Sequence, residues 1–209
     1  MKLLLALDFF TTSQALQLLD QLAEWIDIVE IGTPFIIREG VSAIREVKKN
    51  FPHLKVMADL KIMDAGEYET RLACESGADI VTVLGFAHES TIQSSVKVAK
   101  EFDKAIMVDM IGVENIGSRS RLIDKLGVHY ICVHTAFDIQ VTGKNSLNDL
   151  QLVKTNIQHS KTAIAGGINL TNIDQIAQEK PDIVIVGSGI TRQKDKKKTV
   201  LNLKNIMTH

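Results

Sequence analysis

Lys55-Val56-Met57-Ala58-Asp59-Leu60-Lys61-Ile62-Met63-Asp64 runs from a short apolar stretch straight into Asp, Lys and Asp on a D-x-K-x-x-D spacing. Residues i and i+2 of a strand share a face, so a strand over Lys55–Leu60 aims Asp59 and Lys61 the same way. Asp64 then falls on the following loop or first helical turn. Three charges at the mouth of an apolar strand cost free energy unless they pair or do chemistry. By themselves they fit a salt bridge capping a strand end as well as they fit a reactive site. The next stretch, Glu67–Ser76, has helical spacing and stops at Gly77, after which a new apolar run begins at Ile80. The whole segment therefore reads as one strand–rim–helix unit.

The same unit recurs along the chain. Strands are expected at Leu3–Leu7, Ile26–Ile31, Lys55–Leu60, Ile80–Leu84, Ala105–Met110, Tyr130–His134, Thr162–Ala165 and Ile183–Val186. They are rich in Val, Ile and Leu and barely alternate, as strands buried on both faces of a parallel sheet do. Helical patterns fill the gaps at Ser13–Glu24, Val41–Asn50, Glu67–Ser76, Ser90–Glu101, Ile116–Leu126, Leu147–Gln158, Asn172–Gln178 and Lys197–Ile206, with Thr12 and Ser90 as caps. Gly77 and Gly127 are helix stops. Eight such units with no linker between them predict one α/β domain over residues 1–209, a single (β/α)8 TIM barrel. The turn after Asp8 is Phe-Phe-Thr-Thr, without the G-x-G-x-x-G of a dinucleotide site.

Composition narrows the function. The chain has 209 residues, 45% hydrophobic and 23% charged, with a formal net charge of −1. That is a globular composition with no basic stripe for nucleic acid. The basic run Arg192 to Lys198 reads as the solvated start of the final helix. No stretch of about 18 apolar residues suggests a membrane span. The N-terminal apolar run is too short for a signal peptide and stops at Asp8. The two cysteines, Cys74 and Cys132, sit among apolar neighbours, outside any C-x-x-C pair. Buried free thiols suit a reducing, cytoplasmic setting.

In a barrel, active sites form at the C-terminal ends of the strands. Those positions hold Asp8, Glu30, Asp59, Lys61, Asp109, His134, Gly166-Gly167 and Gly187-Ser188-Gly189. One such residue is commonly a cap; so many on one rim point to function. The glycine elements end the seventh and eighth strands, where barrels usually bind phosphate. Gly166, Gly167, Gly187 and Ser188 are accordingly phosphate-binding candidates, since glycine lets backbone N–H groups approach an anion. Glu30 and Asp59 end adjacent strands and could share Mg²⁺ or Mn²⁺ through oxygen ligands. Lys61, between Asp59 and Asp64, should stay charged, which disfavours a Schiff base. His134 at this rim is a natural general base. Asp138 is placed either to orient His134 or to contact substrate.

Together these residues resemble the orotidine-5′-monophosphate decarboxylase superfamily, and within it the hexulose-6-phosphate synthase branch. The likeness rests on Leu5-Ala6-Leu7-Asp8, Val29-Glu30-Ile31-Gly32-Thr33-Pro34, Ala58 to Gly66, Val83-Leu84-Gly85, Val108-Asp109-Met110-Ile111, Ile131-Cys132-Val133-His134-Thr135, Ile164–Ile168 and Asp182 to Gly187, in that order. It implies a Mg²⁺-dependent aldol condensation of formaldehyde with ribulose 5-phosphate. By the same resemblance, Glu30 and Asp59 hold the metal, and His134 takes the C1 proton. Lys61 and the metal stabilise the enediolate. Gly167, Gly187 and Ser188 grip the phosphate, with Asp8, Gly166, Asp109 and Asp138 completing the substrate contacts and Asp8 also in the catalytic set. Asp64 is expected to act in the site of a partner copy, which implies a homodimer with shared sites.

The sister activity, 3-keto-L-gulonate-6-phosphate decarboxylation, uses the same carboxylates and also an enediolate. That branch usually carries an Arg two residues beyond the His and Gly-Arg after the eighth strand. This chain has Ala136 and Gly187-Ser188, which favours the synthase branch. Phe137, where Tyr is common, and Ser188 within the glycine run depart from the synthase pattern without removing a catalytic group. A third reading, a non-catalytic phosphosugar-binding barrel, sits poorly with the intact charged set.

Overall fold

The computed structural model describes residues 1–142 and 146–208. Strands β1 (Lys2–Leu7), β2 (Ile28–Ile31), β3 (Lys55–Ile62), β4 (Ile80–Leu84), β5 (Ala105–Asp109), β6 (Tyr130–His134), β7 (Lys161–Ala165) and β8 (Ile183–Val186) pair in chain order, all parallel. β8 returns to β1 through Lys2–Ile183 to Leu5–Val186, so the sheet closes into the expected (β/α)8 barrel.

Helices cover the outside: α1 (Thr12–Leu22), α2 (Thr33–Glu39), α3 (Ser42–Asn50), α4 (Gly66–Glu75), α5 (Glu89–Glu101), α6 (Ile116–Asp124), α7 (Leu147–Asn156), α8 (Ile173–Gln178), α9 (Ser188–Thr191) and α10 (Lys196–Thr208). A 3₁₀ turn, Phe137–Thr142, follows β6. Two helices go beyond the sequence reading. α2 starts after Gly32 with Pro34 in its first turn, and α9 is a single turn made from the Gly-Ser-Gly run. Pro34 was a legible start signal, because its missing N–H costs nothing in a first turn. Caps also shift. Thr11, not Thr12, caps α1 in a reciprocal box with Gln14, and the His88 side chain, not Ser90, caps α5. Gly77 and Gly127 stop their helices at φ 99° and 79°, as expected.

The strand registers explain where the site sits. Leu3, Leu5 and Leu7 of β1 pack outward under the helices, while Leu4 and Ala6 fill the lumen. The other strands repeat this: Ile28, Met57, Ile80, Met107, Cys132, Ala165 and Ile185 point inward. The next inward position on each strand lies two residues on. Taken in order these are Asp8, Glu30, Asp59, Thr82, Asp109, His134, Gly167 and Gly187, and all eight line one cavity. The apolar lumen is thus a floor, and the residue two steps above it on every strand builds the site.

Candidate active site

The cavity at the C-terminal end of the barrel encloses about 430 Å³. Met57, Met107, Cys132 and Ile185 form its base and the charged ring its wall. Of the residues read from sequence, Asp8, Glu30, Asp59, Lys61, Asp109, His134, Asp138, Gly166, Gly167, Gly187 and Ser188 all line it. Asp64 does not. It is exposed, beyond the end of β3, on the outside of its own chain's site.

A bulge in β3 places Lys61. Ala58 pairs with Val81 and Ile62 with Val83, so Asp59, Leu60 and Lys61 stand against Thr82 alone. Lys61 takes a left-handed backbone, φ 49°, which for a side-chain-bearing residue costs on the order of 1–2 kcal/mol. The Thr82 hydroxyl closes the gap: it accepts from Lys61 N at 2.9 Å and donates to Asp59 Oδ1 at 2.8 Å. Thr33 Oγ1, in the first turn of α2, donates to the Asp59 backbone O at 2.7 Å and lies 3.0 Å from its Oδ2. Asp59 is therefore fixed from two sides by neutral hydroxyls. Neither threonine was singled out from sequence. Thr82 carries no charge, and only its inward register two residues after Ile80 marks it.

Lys61 Nζ sits 2.6 Å from Asp59 Oδ2 and 3.1 Å from Asp109 Oδ2. Asp59 and Lys61 do face the same way, as the strand spacing required, although the bulge achieves it. Burial pulls the Lys61 pKa down, but Asp59 and Asp109 more than offset this and hold it firmly as an ammonium. Asp109 Oδ2 also meets His134 Nδ1 at 2.9 Å, and Oδ1 accepts from Ile111 N at 2.9 Å. Burial opposes the Asp109 charge, yet His134, Lys61 and Ile111 hold its pKa down to about 2. Asp109, rather than Asp138, is the carboxylate that orients His134; Asp138 stands on the 3₁₀ turn at the cavity wall.

Glu30 is different. It is buried, and among the described residues its Oε2 has no hydrogen-bond partner. Burial, then the Asp59 and Asp8 charges, pushes its carboxyl well above the ordinary range. Asp8 is raised by burial and by Asp59. Four carboxyls, Asp8, Glu30, Asp59 and Asp109, thus share this ring with one ammonium. Excess negative charge and a free carboxylate oxygen are what a hard divalent cation takes up through oxygen ligands. No group of three or more Asp, Glu, His or Cys side chains forms a ready cage among the described residues. A cation held by Glu30 and Asp59 would complete its shell with water and substrate oxygens.

The β7 and β8 loops form the opposite wall. Gly166 has φ 98°, and a Cβ there would strike the Thr135 backbone; Gly167 has φ 70°. Asn169 and Asn172 side chains both donate to Gly167 O, at 3.1 and 3.0 Å, and pin the turn. Arg192, just after α9, also lines the cavity. It is exposed, but it is not part of the final helix as the charge run had suggested; α10 begins at Lys196. Residues 193–195, outside any helix, separate the two.

A closed barrel with an acid–lysine–histidine ring at its C-terminal mouth defines a (β/α)8-barrel enzyme. The chain belongs to the orotidine 5'-phosphate decarboxylase / HUMPS family, whose model matches residues 1–203. It is 51% identical to a 3-hexulose-6-phosphate synthase of Bacillus subtilis (strain 168), over 99% of each chain. The crystal structure of 3-hexulose-6-phosphate synthase from Salmonella typhimurium superposes with a TM-score of 0.97 at 41% identity, covering 100% of this chain and 99% of that one. A 3-keto-L-gulonate-6-phosphate decarboxylase from Vibrio cholerae gives a TM-score of 0.87 at 26% identity, covering 99% and 97%. Among the described residues no helix is long and apolar enough to cross a membrane.

Proposed function

We propose that this protein joins formaldehyde to D-ribulose 5-phosphate in a reversible aldol condensation, giving D-arabino-hex-3-ulose 6-phosphate. The observation that carries the reading is the Lys61–Asp109–His134 relay at the mouth of a barrel similar over its full length to hexulose-6-phosphate synthases. His134, held through Nδ1 by Asp109, presents its other ring nitrogen to the cavity and takes the C1 proton of the sugar. The electron pair of that C–H bond becomes an enediolate. The Lys61 ammonium stabilises the negative charge as it develops, from a position fixed before substrate arrives. C1 of the enediolate then attacks the formaldehyde carbon, and the new alkoxide takes a proton.

Glu30 and Asp59 are the residues to hold Mg²⁺, or Mn²⁺ in its place, which would add Lewis-acid stabilisation worth several kcal/mol. Gly167, Gly187, Ser188 and Arg192 take the phosphate, with Gly166 setting the turn. Asp8 contacts the sugar end nearest β1, and Asp138 contacts substrate from the 3₁₀ turn. Asp64, exposed beyond β3, completes the site of a second copy in a homodimer. The related decarboxylase chemistry is disfavoured by Ala136 and Ser188, which stand where that branch usually carries arginines. Purified protein with Mg²⁺ should consume formaldehyde only when ribulose 5-phosphate is present, and chelation should stop it. Full activity after exhaustive chelation would remove the metal from the account.

A further inference from the structure

Two large aromatic side chains stand at the cavity rim, where solubility would favour polar ones. Phe9 is 68% exposed and Phe137 54% exposed, yet both line the cavity. Their rings meet edge to face, with centroids 6.0 Å apart at 67°. Phe9 follows β1 and Phe137 follows β6, and between those strands in the closed barrel lie only β7 and β8. The pair therefore bridges the mouth from the residue after Asp8 to the turn three residues beyond His134, above the cavity that both of those side chains line. Edge-to-face pairs gain about 0.5–1.5 kcal/mol beyond simple area burial, enough to bias two loops toward each other.

We propose that Phe9 and Phe137 form an apolar roof that shields the enediolate from water and so decides its fate. The inference rests on the aldol reading above. Once His134 has taken the C1 proton, the carbanionic carbon has two partners. Attack on formaldehyde forms the new C–C bond, and the aldehyde oxygen takes a proton. Alternatively C1 takes a proton back from a solvent-exchanged donor and the C–H bond re-forms. Excluding water is a recognised way to suppress the second course. Neither Phe side chain carries a hydroxyl that would hold water at the roof.

The test runs the wild type and the Phe9→Ala and Phe137→Ala variants in D₂O with ribulose 5-phosphate, formaldehyde and Mg²⁺. The readout is the ratio of C1-deuterated ribulose 5-phosphate recovered to hexulose 6-phosphate formed. Each alanine variant should raise that ratio by about 5-fold or more, equivalent to about 1 kcal/mol between the two barriers. Phe137→Leu, which keeps apolar cover, should lie between wild type and Phe137→Ala, and serves if an alanine variant folds poorly. An unchanged ratio in the alanine variants, or in Phe137→Leu should it be the only one to fold, overturns the roof while leaving the aldol reading intact. A wild type that neither exchanges C1 deuterium nor condenses overturns the aldol reading, and the roof falls with it.

Discussion

Asp109 Oδ2 lies 2.9 Å from His134 Nδ1, and the same oxygen lies 3.1 Å from Lys61 Nζ. One carboxylate oxygen thus fixes both the base and the cation of the proposed chemistry. Asp109→Asn keeps the shape but replaces one acceptor with a donor and loses the charge. His134 then loses its orientation and Lys61 keeps only Asp59. We expect kcat to fall by about 10²–10³-fold with a smaller change in KM, because the lost stabilisation belongs to the transition state. Steady-state kinetics on ribulose 5-phosphate and formaldehyde would check this; a pure KM effect would make Asp109 a substrate-binding residue instead.

Glu30 gives a pH and stability prediction. Burial and the neighbouring carboxylates raise its folded pKa above the ordinary value of 4.5. A raised group contributes stability that is complete below its unfolded pKa and is lost as pH rises through the folded one. In the metal-free protein the Glu30 contribution should therefore fall as pH rises above the ordinary carboxylate range. Glu30→Gln should remove that loss and stabilise the metal-free fold at neutral pH, because it takes away the buried charge. Mg²⁺ should raise the melting temperature of the wild type and leave Glu30→Gln unmoved. Thermal melts across pH, with and without Mg²⁺, decide both points.

Asp64 tests the assembly. If it serves a neighbour's site, Asp64→Asn and His134→Ala should each be nearly inactive alone. Mixed and allowed to exchange subunits, they should recover activity, because one site of each mixed dimer then carries neither lesion. Random exchange caps the recovery at about a quarter of the wild-type sites. No recovery after demonstrated exchange would place Asp64 and His134 in the same subunit's site, or Asp64 in none.

Arg192 lines the cavity just after α9, and in the proposed chemistry it takes the phosphate. Arg192→Ala should raise KM for the phosphosugar by about 10–100-fold, the range for losing a charge-assisted contact, with kcat changed far less. A comparable drop in kcat with KM unchanged would move Arg192 into the chemistry.

Much of this site was legible because barrel registers are strict. Asp8, Glu30, Asp59, Asp109 and His134 announce themselves as ionisable residues ending apolar runs, and all reach the cavity. Thr82 and Thr33 do not, since neutral hydroxyls look like any strand or helix residue until the bulge in β3 brings them to Asp59. The alternation of each strand was hidden as well, because Leu3 and Leu4 are equally apolar while one faces the helices and the other the lumen. Arg192 was masked by the lysines after it; only the short α9 turn shows that it belongs to the rim. The helix boundaries shifted by one or two residues wherever a cap is made by a neighbour, as with Thr11 and His88.

The central claim is that the Asp59–Lys61–Asp109–His134 ring makes an enediolate that is captured by formaldehyde. The direct measurement is a side-by-side assay of purified protein with Mg²⁺, on ribulose 5-phosphate plus formaldehyde and on 3-keto-L-gulonate 6-phosphate. The account predicts a kcat/KM for condensation at least about 10-fold above that for decarboxylation, a barrier difference of about 1.4 kcal/mol, with both abolished in His134→Ala. Faster decarboxylation, or condensation that survives His134→Ala, would contradict it.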